Sequence, residues 1–304
     1  MNRWFKSFWI LFTGVILLMN SQKIISLIAG ISCSVFTFSQ DLNFAKNQVK
    51  TLSSPSFQGR GYVKNGDHIA AEYLADQFRK FRLSGFTKDY LQPYQFKVNT
   101  FPGAMDVQID GKKLVPGFDF MASPESGSCH GTFDIVTIDS SLFTPGFRAQ
   151  QLLQRDFKNK FVLLDTLGWG KSDYRNTVRD LVLQNMEKSS GVMLVGNKNL
   201  TFSVRLFRQD FGSLVIKRSS LPVPCFKITV NVKSELTEHT TNNIVGFIQG
   251  QVDTFVVFTA HYDHLGHMGK KTYYPGASDN ASGTAMVLDF IRQFTAMPGK
   301  PAAK

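Results

Sequence analysis

Two apolar blocks open the chain, residues 9–19 and 24–38, separated by Asn20, Ser21, Gln22 and Lys23. Neither reaches the ~20 consecutive apolar residues that a membrane-spanning helix needs. Read from Met19, the second block has the layout of a signal peptide. Lys23 lies in a short polar n-region, 24–38 form the h-region, and the small residues Thr37 and Ser39 precede a cleavage point before Gln40. Residues 1–39 are therefore expected to be an export segment, with the signal peptide at 19–39 and 1–18 an upstream extension. The competing expectation is an uncleaved membrane anchor.

Beyond Gln40 the pattern changes twice more. In residues 41–94, Ala70, Leu74, Phe78 and Phe81 keep helical spacing, and Gly85 stands where a left-handed residue would end that helix. The glycines of Phe57-Gln58-Gly59-Arg60-Gly61 read as a turn; with no strand before it, the loop is not a phosphate cradle. Residues 95–238 contain short β-rich runs at 107–109, 133–138, 160–165, 191–196 and 225–232, with one helix expected over 173–189. The continuous apolar runs at 161–164 and 192–195 suit strands covered on both faces. This stretch reads as a self-contained strand-rich domain spliced into another, and it holds no cluster of acids and histidines.

The third part, 239–304, begins with two apolar runs, 241–248 and 253–260, joined by a turn at 249–251. They are expected to form a hairpin at the heart of a mixed sheet. After Gly276 the spacing is helical, with Met286, Val287, Phe290 and Phe294 on one face and Ala285, Leu288 and Ile291 on another, as in a helix buried on most sides. The fold class that results is α/β, with a mixed central sheet, flanking helices and an inserted β-rich domain.

At 304 residues, with 43% hydrophobic and 13% aromatic content, the chain can bury a sizeable core. The formal net charge is +11, of which Arg3, Lys6 and Lys23 belong to the export segment. The other basic residues are scattered, and runs such as Lys112-Lys113 and Lys270-Lys271 are short, which reads as solvated surface rather than a nucleic-acid patch. Cys129 and Cys225 would enter an oxidising compartment, where either a disulfide or two separate buried thiols is possible.

The chemistry gathers near residue 261. An apolar run that delivers His261 and Asp263, followed by Asp279 at the start of a helix, matches how α/β sheets place ligands beyond the carboxyl ends of strands. Neutral imidazole and carboxylate suit zinc, and Asp263 is placed to fix the tautomer of His261. The plainer alternatives are a hydrogen-bonded core histidine and a helix N-cap at Asp279. His264 and His267 continue a three-residue spacing, but Gly266 and Gly269 argue for a loop, which leaves them at a pocket rim or on the surface.

The segments AHYDHLG and PGASDNASGTAMVLDFIRQF closely resemble the zinc-dependent aminopeptidases, a family that also includes glutamate carboxypeptidase-like proteins and glutaminyl cyclases. The likeness extends to NNIVGFIQG and to SFQGRGYVKNGDHIAAEYLADQF, and the middle of the chain looks like the protease-associated domain that many members carry. The resemblance implies that His261 binds one zinc, Asp279 bridges two, and Asp263 supports His261 from behind. It also implies a peptide or protein substrate. In the family a Glu-Glu pair, a further acid and a final histidine follow. No glutamate follows Asp279 here, so the chain is expected to be an incomplete and inactive form. A glutaminyl cyclase-like enzyme and a noncatalytic exported peptide- or glycan-binding protein are the alternatives.

Overall fold

The apolar run at 161–164 becomes the strand around which the largest sheet is built. In the computed structural model, which describes residues 40–170, 173–196 and 200–304, eight strands between Met105 and Val232 pair in one mixed sheet. These are β3 (Met105–Ile109), β4 (Lys112–Leu114), β5 (Phe120–Ala122), β6 (Cys129–Ile138), β7 (Lys160–Leu164), β8 (Gly191–Gly196), β9 (Gly212–Lys217) and β10 (Lys227–Val232). Their order is β4-β3-β10-β6-β7-β8-β9-β5, with β6 to β9 parallel and the outer strands antiparallel. Both apolar blocks of residues 1–39, and with them the expected export segment, lie outside the described residues. Among the described residues no helix is long and apolar enough to cross a membrane.

Alternation along β7 separates two cores. Phe161 and Leu163 join one buried cluster with Met193, Leu214 and Phe120. Val162 and Leu164 join another with Ile138, Val192, Val178 and Val182. The last two come from helix α3 (Asp173–Leu183), which packs on that face and ends six residues earlier than its expected end at 189. Cys129 and Cys225 are both free thiols. Burial pushes the Cys129 thiol up to about 12.

The chain enters and leaves this sheet through a ten-residue antiparallel ribbon, β2 (Leu91–Thr100) against β11 (Glu235–Ile244). Residues Asn43–Lys304 make up one compact unit. Helix α1 (Leu42–Leu52) is followed by a short 3-10 stretch at Pro55–Arg60 and by α2 (Gly66–Lys80). Ala70, Leu74 and Phe78 are buried on α2 as their spacing requires. Gly85 does not end that helix. Arg82 takes the left-handed conformation instead, with φ 57°, and Gly85 sits in β1 (Ser84–Gly85), paired with β12 (Gly246–Phe247).

The expected hairpin over 241–260 does not form. Residues 241–244 belong to the β2/β11 ribbon, and 251–260 contain no strand. Val256 N donates to Lys304 O at 2.9 Å and Lys304 N to Thr254 O at 2.8 Å, so the run leans on the 301–304 segment rather than on a neighbouring strand. Its side chains stay in solvent, Val257 at 74% exposure. The helix after Gly276, α4 (Ser282–Ala296), buries Thr284, Ala285, Leu288 and Asp289. Its other apolar face is only half-covered, where Phe258 packs on Phe290 with ring centroids 5.2 Å apart. Without a sheet formed by 253–260, nothing among the described residues encloses that face.

Between 260 and α4 the chain returns to the large sheet. A small hairpin, β13 (His267–Met268) with β14 (Thr272–Tyr273), inserts Met268 into the first core. Tyr274 stacks on Phe202 at 5.2 Å, and Gly269 N donates to Phe101 O at 2.6 Å. The loop that carries His261 and His264 is thus anchored to the sheet core on its C-terminal side.

Candidate metal centre

Arg60 organises this loop region. It is fully buried, and its guanidinium donates to main-chain oxygens on three segments. Nε reaches Tyr262 O at 2.7 Å, Nη1 reaches Leu52 O at 2.7 Å and Pro275 O at 2.8 Å, and Nη2 reaches Gly276 O at 2.7 Å and Asp279 O at 3.4 Å. Its own carbonyl accepts from His264 N at 3.0 Å. A planar cation with five N–H donors suits a set of converging carbonyls, and such pairing is what makes a buried charge tolerable. Burial lowers the Arg60 pKa, while the charges of Asp263 and Asp279 raise it. Residues 262–264 and 275–279 are therefore held at fixed separation by one side chain.

On that frame His261 Nε2 lies 3.2 Å from Asp279 Oδ1. The backbone of His261 is fixed from α4 and the turn before it, because its carbonyl accepts from Asn280 Nδ2 at 3.1 Å and Thr284 Oγ1 at 3.2 Å. Asp279 stands in the irregular turn Ala277–Ala281 and does not cap α4. Asn280 does that work, with its Oδ1 accepting from Gly283 N at 3.1 Å, so the carboxylate of Asp279 is free for His261. Both side chains open to solvent, His261 at 57% and Asp279 at 69% exposure.

The other face of the imidazole belongs to Asp263. His261 Nδ1 is 3.2 Å from Asp263 O and 3.3 Å from Asp263 Oδ1. Oδ2 of Asp263 accepts from the Tyr62 hydroxyl at 2.7 Å. Burial and the Asp263 charge hold the Tyr62 phenol well above its ordinary pKa, so it remains a donor. Arg60 and Tyr62 were not legible as site residues. The only signal was the run Gly59-Arg60-Gly61-Tyr62, which reads as a turn.

The two histidines expected at the rim lie elsewhere. His264 Nδ1 is 3.6 Å from Asp279 Oδ2, with its side chain 11% exposed, and burial lowers its pKa. His267 is buried in the β13/β14 hairpin and pairs through Nε2 with Gln58 Oε1 at 2.9 Å. Gly266 (φ 65°) and Gly269 (φ 71°) do make the loop that the glycines predicted, and that loop folds inward. His261 and His264 approach opposite oxygens of Asp279, so the three do not close on one point. Beside them a cavity of about 940 Å³ is lined by Tyr62, Tyr94, His261, Asp263, Phe258 and Phe290, among others.

A zinc ion bound at 2.0–2.1 Å by two tetrahedral ligands places them about 3.3 Å apart, close to the observed separation of His261 Nε2 and Asp279 Oδ1. The donor set fits part of a zinc shell, with the second oxygen of Asp279 turned towards His264.

Residues 243–304 match the family model of Peptidase family M28. Among solved structures, an aminopeptidase from Aneurinibacillus sp. strain AM-1 is similar with a TM-score of 0.53 and 18% identity, over 87% of this chain and 61% of that chain. No match is found among curated proteins. The C-terminal segment is thus similar to Peptidase family M28, and the chain shares the α/β fold of that aminopeptidase structure. The chain spans 61% of the length of the aminopeptidase structure it matches.

Proposed function

We propose that this chain carries part of the dinuclear zinc centre of an exported metallopeptidase of the aminopeptidase type. The observation that supports this most is the 3.2 Å approach of His261 Nε2 to Asp279 Oδ1, on loops pinned by Arg60. In this reading His261 would be a ligand of one zinc ion and Asp279 a ligand common to both. Asp263, held by the Tyr62 hydroxyl, would keep the Nδ1 side of the imidazole engaged and leave the other ring nitrogen for a metal. Zinc, when bound, would polarise a scissile carbonyl and activate water. The aromatic cavity beside the pair would seat the side chains of a peptide, and the sheet at 105–232 is protease-associated-like in this reading. Residues 19–39 would direct export.

Between Asp279 and Lys304 no glutamate occurs. These residues therefore offer no general base of the kind the family places after the bridging aspartate, and the 304-residue chain is expected to be inactive by itself. Two measurements test the reading, isothermal titration with zinc and hydrolysis of a leucyl-anilide. A weak zinc-binding component that is weakened at least tenfold in His261→Ala and in Asp279→Ala, with no turnover, is the expected result. Zinc binding unchanged by both substitutions would remove the metal assignment, and robust turnover by this chain would overturn the inactivity.

A further inference from the structure

We propose that Asp67, His68 and His239 form a second divalent-metal site, for zinc or a first-row ion of similar ligand preference, apart from the His261–Asp279 pair. One ligand atom from each of the three lies within 4.8 Å of the other two. Asp67 and His68 occupy the first turn of α2, and His239 comes from the middle of β11, so the fold brings them together across 172 residues of chain.

The burial of Asp67 carries the argument. Its side chain is 0% exposed. Oδ2 contacts His239 Nε2 at 2.6 Å, while Oδ1 is buried with no hydrogen-bond partner among the described residues. A fully buried carboxylate with one oxygen unpartnered is costly, and native structures rarely leave one so. The start of α2 supplies only partial positive charge. A divalent cation would neutralise the carboxylate and take up its idle oxygen.

The neighbours suit that ion. Two imidazoles and a carboxylate are the donor set of zinc sites with an open position, and they disfavour calcium and magnesium, which seek oxygen ligands. The ring of His68 stands 5.5 Å from that of His239 and is only half-buried, which gives an entry side. On the inner side Tyr62 and Phe96 wall His239, with centroids at 5.0 and 5.9 Å. Metal entry would take the place of the Asp67–His239 hydrogen bond, any proton displaced passing to solvent, and widen that 2.6 Å contact by about 0.7 Å to the spacing of two zinc ligands. Tyr62 also donates to Asp263, so one residue borders both sites.

The test uses the full chain carrying His261→Ala and Asp279→Ala, which removes the other candidate site. It is titrated with cobalt(II) by visible absorption and with zinc by calorimetry. One equivalent bound, with affinity falling 10- to 100-fold when His68→Ala is added, is the expected result. His68 is half-buried on the helix surface, so its variant should keep the fold, as circular dichroism will verify. A zinc-dependent rise in Tm that disappears in His68→Ala and in His239→Gln gives a second readout. Loss of all metal binding in the double variant, or a titration that neither histidine substitution alters, would overturn the proposal and leave Asp67–His239 a simple buried pair.

Discussion

Gly61 and Gly266 meet backbone to backbone. A Cβ on Gly266 would lie 2.7 Å from Gly61 Cα, and one on Gly61 would run into the Cα and amide nitrogen of Gly266. Gly266 also has φ 65°, so a side chain there is strained twice over. This contact seats the Arg60 loop against the loop that follows His264. Replacing either glycine with alanine is expected to cost more than the roughly 1 kcal/mol of an ordinary left-handed substitution, because main chain rather than a flexible side chain must move. Urea unfolding of Gly266→Ala and Gly61→Ala measures it, and midpoints equal to the parent would show that the loops separate freely.

Arg60→Met should be worse. It strands the carbonyls of Leu52, Tyr262, Pro275 and Gly276, and charge-assisted hydrogen bonds of this kind contribute about 1.5–3 kcal/mol each before relaxation. A loss of at least about 3 kcal/mol is expected, accompanied by weaker zinc binding as 262–264 and 275–279 lose their common anchor. Denaturant titration and calorimetry read the two effects separately. A stable variant with unchanged zinc affinity would refute the role of Arg60.

Tyr62→Phe removes one atom and keeps the packing against Phe96 and His239. Asp263 would lose its donor, and His261 the partner that orients it. The expected outcome is a stability change of about 1 kcal/mol with a 10- to 100-fold loss of zinc affinity at the His261 site. Equal affinities for the variant and the parent would detach Tyr62 from that site.

Glu187 gives a pH signature away from the metal residues. Desolvation raises its carboxyl to about 7, against an ordinary value of 4.5, and its Oε2 is buried without a partner among the described residues. The folded state thus favours the protonated form. The resulting penalty is absent below pH 4.5, grows as pH rises through about 7, and is complete at pH 8. Glu187→Gln should leave stability unchanged at low pH and raise it at pH 8 by on the order of 2 kcal/mol, after allowance for solvent screening. Urea unfolding at both pH values tests the sign.

The parts of the fold that could be read were those whose signal is local. β7 and β8 stood out because both faces of each strand enter a core, which demands an unbroken apolar run. β2 and β11 did not. Leu91–Thr100 contains Pro93 and Gln95, and Glu235–Ile244 is mostly polar, because much of the ribbon faces solvent and is held by pairing across more than a hundred residues. The run at 254–260 misled for the opposite reason, since its composition suits a central strand while its observed surroundings supply no sheet. At the site, His261 and Asp279 were legible by residue type and position. Arg60 was not, because its partners are carbonyls, which every residue has.

The bare stretch Phe255-Val256-Val257-Phe258, exposed between 48% and 74%, has a further meaning for the cell that makes this chain. Unshielded aromatic and β-branched residues are the surface on which chaperones hold clients and proteases select them. Abundance of the polypeptide should therefore follow how quickly this stretch is covered after synthesis, more than the strength of the cores behind it.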